Sequence, residues 1–122
     1  MKIIFSKRIK QKELWKSVDN ETIKILISYY KRWIFSTIKG ENLPNSSKLI
    51  KIYVTSVYWE KRIVYMVDLV SKDAFFLFYR NKKDKIWENI SIKNKYFKEK
   101  LHYYLDLLFE DIKNNDLEIY EV

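Results

Sequence analysis

The spacing of apolar positions along the chain changes period from segment to segment, and these changes divide it into elements. Ile3 to Phe5 is a short apolar run that fits a strand, and Lys7 to Val18, with Ile9, Leu14, Trp15 and Val18 loosely periodic, predicts a first helix. Asp19, ahead of Glu21 and Thr22, reads as an N-cap. From there Ile23, Leu26, Ile27, Tyr30, Trp33, Ile34 and Ile38 share one face at helical spacing, which predicts a second helix ending near Lys39, with Gly40 at its C′ position and Pro44 beyond. After the loop Glu41 to Lys48 the period becomes two. In Leu49 to Thr55, Ile50, Ile52 and Val54 alternate with Lys51, Tyr53 and Thr55, as in a half-buried strand. Arg62 to Val70 and Ala74 to Arg80 are rich in β-branched and aromatic residues with less alternation, as strands covered on both faces are. Phe97, Leu101, Tyr104, Leu105, Leu108, Phe109 and Ile112 predict a last helix from about Asn94 to Asn114, and Leu117 to Tyr120 is compatible with a final short strand. The order β-α-α-β-β-β-α, with that optional strand, predicts an α+β fold in which helices pack on one antiparallel central sheet.

Composition sharpens this picture. The 122 residues, 48% hydrophobic and 33% charged, suit one packed domain over residues 1–122, and a single Gly and a single Pro leave little room for long structureless loops. With no cysteine, disulfides and thiolate chemistry are excluded. The amino-terminal apolar run is too short for a signal-peptide core, and no stretch approaches the roughly 20 apolar residues of a membrane span. The expectation is a soluble, cytoplasmic protein with no membrane partner.

The net charge of +8 is unevenly spread: residues 1–105 hold 23 Lys or Arg against 10 Asp or Glu, and residues 106–122 hold one against six. A basic body with an acidic end attracts nucleic acid, an acidic protein or an anionic surface, and charge alone does not choose among them. Lys-rich composition can inflate the lysine count, but it does not account for Arg62 and Arg80. The single histidine, His102, excludes a two-histidine nuclease, and Asp106, Glu110 and Asp111 read as a solvated helix face rather than a metal site. No metal and no small-molecule cofactor is expected.

Several strings point further. Lys51-Ile52-Tyr53 followed by Arg62-Ile63-Val64-Tyr65-Met66-Val67 resembles the paired central strands of the RelE/ParE superfamily of type II toxin-antitoxin toxins. Gly40-Glu41-Asn42-Leu43-Pro44 resembles that family's loop between helix and sheet, and Tyr79-Arg80-Asn81-Lys82-Lys83-Asp84-Lys85 resembles the end of its next strand, where a further active-site basic residue sits. Tyr53 stands where ribonuclease members with a Lys-x-Lys strand have a second lysine, and Trp87 and Tyr96 are the nearest aromatics to a late active-site tyrosine. The resemblance implies a RelE-like fold and a metal-independent endoribonuclease that cleaves messenger RNA, at the ribosome, under control of a cognate antitoxin. The alternatives are a ParE-like toxin that inhibits DNA gyrase by protein contact and a non-catalytic RNA-binding module.

On the endoribonuclease reading, attack of a ribose 2′-OH on the adjacent phosphate requires stabilisation of developing negative charge. Arg62 and Arg80 on adjacent strands would converge on a phosphate through their planar forks, with Lys51 stabilising charge or acting as a base. Tyr53, on the same face as Lys51, would position or stack on a base. Lys82, Lys83 and Lys85 extend the cationic patch begun by Arg80, and Tyr58 and Trp59 either stack on bases or fold back over the sheet. Arg62 has an equally good structural reading as a surface partner of Glu60 or Asp68.

Overall fold

The computed structural model describes residues 2–14, 20–32, 34–40, 43–55, 60–81 and 94–121. In chain order the elements are β1 (Lys2–Ser6), α1 (Lys7–Leu14), α2 (Asn20–Lys31), β2 (Ser36–Ile38), β3 (Ser47–Thr55), β4 (Glu60–Asp68), β5 (Ala74–Asn81), α3 (Lys95–Asn114) and β6 (Leu117–Glu121). The six strands form one sheet in the order β2-β3-β4-β5-β1-β6. The fold is α+β, but the sheet is mixed and not purely antiparallel: β1 runs parallel to β5, and the other neighbours are antiparallel. The reason is connectivity. The chain returns from β1 through two helices and an antiparallel meander, so that β5 reaches β1 pointing the same way.

The sheet is buried on both faces. Ile50, Ile52 and Val54 of β3 pack with Ile63, Tyr65 and Val67 of β4 beneath Ile23, Leu26 and Tyr30 of α2. On the other face Leu49, Val64, Met66, Leu77 and Phe78 pack beneath Phe97, Leu101, Tyr104 and Leu108 of α3. The alternation expected of β3 therefore holds, with Lys51 and Tyr53 on the α3 side. Asn94 caps α3 by accepting hydrogen bonds from the backbone N–H groups of Tyr96 and Phe97, and Asn115, at φ 58°, closes its C-terminus in the left-handed conformation that asparagine tolerates.

The second helix is shorter than its apolar spacing predicts. It ends at Lys31, and Ser36–Ile38 instead forms the edge strand β2 against β3. Ile34 is 75% exposed, and Ile38 is buried in the α3-side core, not the α2 side. A run of β-branched and aromatic residues, Ile34-Phe35-Ser36-Thr37-Ile38, satisfies helical and strand periods alike, and pairing with β3 decided the outcome. Gly40 consequently is not a helix cap: it has no positive φ and lies against the side chains of Leu43 and Leu49. Val70, expected at the end of a strand, sits in the β4–β5 turn. Trp33 lies outside the described residues. Among the described residues no helix is long and apolar enough to cross a membrane.

The acidic end of the chain folds back onto α1. Asp111, expected on a solvated face, is 1% exposed: its carboxylate accepts from Ser6 Oγ at 2.5 Å and from Arg8 Nε at 2.8 Å. Glu110 lies 3.3 Å from Arg8 Nη2, and Lys10 pairs with Glu118 of β6. Burial raises the Asp111 carboxyl pKa, but the hydrogen bonds from Arg8 and Ser6 together outweigh it and hold the group below its ordinary 3.8. A folded-state value below the unfolded one stabilises the fold fully above the unfolded value, and that contribution is lost as pH falls through the folded value. Asp111→Asn is therefore expected to flatten the acid limb of a melting-temperature profile below about pH 5. An acid limb identical to that of the unmodified chain would show that the clamp carries no linked proton.

Candidate functional site

The residues singled out on the central strands do come together, and the register explains how. Tyr53 of β3 is the direct partner of Arg62 of β4, and Arg62 is the direct partner of Arg80 of β5. Directly paired residues share a sheet face, so the three side chains form a row across adjacent strands on the α3 side, spanning roughly 10 Å at the usual strand spacing. A β-bulge creates this row. Val64 pairs with Phe78 but Tyr65 pairs with Phe76, so Leu77 is an extra residue in β5. Both Leu77 and Phe78 face α3, which resets the alternation. Without the bulge Arg62 would pair with Tyr79; with it, Tyr79 turns into the α2-side core and Arg80 joins Arg62.

Two arginines placed directly opposite repel one another, and each has a local partner. The Arg62 guanidinium lies 5.0 Å from the centre of the Tyr53 ring, and Lys51 Nζ, two residues along the same face, lies 5.4 Å from it. One half-exposed ring, at 47%, thus carries two cations. Tyr53 also borders an open cleft of about 230 Å³ shared with Tyr29, Arg32, Phe35 and Ser36 at the β2 edge. Arg32 is itself stacked on Tyr29 at 4.5 Å, so this cleft has aromatic walls and a cationic rim.

Arg80 is held differently. Its Nε and Nη2 bind the two carboxylate oxygens of Glu13 at 2.8 and 2.6 Å, and Glu13, at the end of α1, is completely buried. The same carboxylate accepts the Tyr104 hydroxyl at 2.5 Å and the Tyr79 backbone N–H at 3.1 Å. Burial first, and the neighbouring Glu13 charge second, push the Tyr104 phenol well above its usual value, so it is a fixed donor at neutral pH. Glu13 was not foreseeable from the sequence, because nothing in a loosely periodic first helix marks one carboxylate as buried. Its effect is to tie α1, β5 and α3 together and to neutralise Arg80 locally.

The candidate row therefore has two parts. Lys51, Tyr53 and Arg62 form a cation-aromatic cluster on the sheet face, whose chemistry suits a phosphate held by Arg62 and Lys51. Arg80 is in the row by position, with one edge of its fork already engaged. Beyond it, Lys12 and Lys100 lie on the rings of Tyr103 and Tyr104 between α1 and α3. His102 is partly buried on α3, not fully at the surface. Tyr58, Trp59, Lys82, Lys83, Lys85 and Trp87 lie outside the described residues, and Tyr96 is exposed on the first turn of α3. Comparisons of the chain with protein-family models, with curated proteins and with solved structures found no match.

Proposed function

We propose that this chain is an RNA-directed toxin of the RelE/ParE kind, a metal-independent endoribonuclease that acts on messenger RNA at the ribosome and is restrained by a cognate antitoxin. The observation that supports it most is the placement of Lys51 and Arg62 from neighbouring strands on one half-exposed ring, Tyr53, where a phosphate can bridge the two cations. In this reading Arg62 and Lys51 stabilise the charge that develops as a 2′-OH attacks the adjacent phosphorus, and the aromatic cleft beside Tyr53 takes a base.

Arg62→Ala is expected to weaken binding of single-stranded RNA by about 10–100-fold, the range for loss of one charge-assisted contact, and to abolish growth arrest on induction in a bacterial host. Fluorescence anisotropy across a salt series and mapping of transcript ends after induction check this, with chelator present to test metal independence. Growth arrest that persists in both Arg62→Ala and Lys51→Ala, or a salt-insensitive target with intact messenger RNA, overturns the reading and points to a protein target such as gyrase.

One observation favours a second reading, a non-catalytic RNA-binding module. The fork of Arg80 is engaged by Glu13, which leaves fewer cations for transition-state stabilisation than the three originally expected. Arg62-dependent binding without any transcript cleavage would select that alternative.

A further inference from the structure

We infer that the RNA-binding surface continues past Arg80 into the cleft between α1 and α3, where Lys12 and Lys100 hold a backbone phosphate and Tyr96 and Tyr103 stack on the flanking base; this rests on the RNA reading above. Two open clefts, of about 680 and 360 Å³, share Arg80 and Lys100 as walls and so adjoin one another at the end of the strand row. The first is bordered by Lys12 and the second by Tyr96 and Tyr103.

The charges of this region divide into two groups. Arg8 and Lys10 of α1 are engaged by carboxylates of the chain's acidic end, and Arg80 by Glu13. Lys12 and Lys100 instead converge, from different helices, on a single ring: their Nζ atoms lie 5.7 and 5.5 Å from the centre of Tyr103. Two ammonium groups gathered on one ring repel each other, and an anion between them relieves that repulsion. The one carboxylate on the rim, Glu99, lies 3.9 Å from Lys95. Tyr96 and Tyr103 are both substantially exposed, as bases stacking on them require. A cationic groove with exposed rings at intervals is the arrangement by which proteins track single strands without reading sequence.

The site lies one full element beyond the Lys51–Tyr53–Arg62 cluster, so it is reached only by a longer strand. The probes are labelled oligouridylates of about four and about twelve nucleotides, bracketing a single-strand site. The unmodified chain is expected to bind the longer one at least about tenfold more tightly. Lys12→Ala/Lys100→Ala should remove that gain, leave the short probe unchanged and lower the salt slope for the long probe by about 1.4, or 0.7 for each phosphate released. Lys12→Arg/Lys100→Arg should retain the gain, which separates charge from folding. If the Ala pair binds the long probe with unchanged affinity and slope, the extended track is wrong while the RNA reading stands. If the unmodified chain binds neither probe, both fall together.

Discussion

Replacing Glu13 by alanine is expected to destabilise the fold by about 3–5 kcal/mol, the cost of removing one partner from a buried ion pair. Four donors converge on this carboxylate: two nitrogens of Arg80, the Tyr104 hydroxyl and the Tyr79 backbone N–H. Removing it strands all of them. Arg80 is 23% exposed and recovers some hydration, but Tyr104 and the Tyr79 amide are buried and recover almost none. Glu13→Gln keeps an acceptor and loses the charge, so its effect should be intermediate. Chemical denaturation checks both: a lower midpoint at unchanged slope is expected. A loss below about 1 kcal/mol for Glu13→Ala would mean that the network is incidental and that α1 is held by apolar contacts alone.

The same network shows what could and could not be read from the sequence. The β3 alternation was legible because one face is apolar at every second position, and Lys51 and Tyr53 follow directly from it. The extent of α3 was legible too, since its cap residues and apolar stripe agree. The end of α2 was not, because Ile34 and Ile38 satisfy helical spacing while their β-branched character suits the edge strand that forms. The convergence of Arg62 with Arg80 was expected from adjacent strands, yet it depends on the extra residue Leu77, and a bulge leaves no unambiguous mark in a run as uniformly apolar as Phe75 to Tyr79. Carboxylates were the least legible class. Asp111 and Glu13 look like solvated helix residues until tertiary packing brings Arg8 and Arg80 to them. The strong charge asymmetry of the chain finds its meaning there as well: part of the acidic end neutralises α1, so the outward positive field is more local than the net charge suggests.

Replacing both members of the buried pair, in Glu13→Leu/Arg80→Met, is expected to recover most of the stability lost by Glu13→Ala, because apolar residues of similar volume often equal or exceed a buried ion pair. Tyr104 and the Tyr79 amide still lose their acceptor, which limits the recovery to within about 1–3 kcal/mol of the unmodified chain. The informative comparison is with RNA. This double change leaves the net charge as it was and leaves Lys51, Tyr53 and Arg62 in place. If Arg80 serves chiefly to set the row and the α1–α3 wall, affinity for a short oligouridylate should change by less than about threefold, against the 10–100-fold expected for Arg62→Ala. Cleavage, if Arg80 swings from Glu13 to the scissile phosphate during reaction, should instead collapse while binding persists. Anisotropy and transcript mapping on the one variant thus separate a positioning arginine from one that touches the reacting phosphate. A large fall in short-probe affinity would show that Arg80 binds phosphate even with Glu13 on its fork.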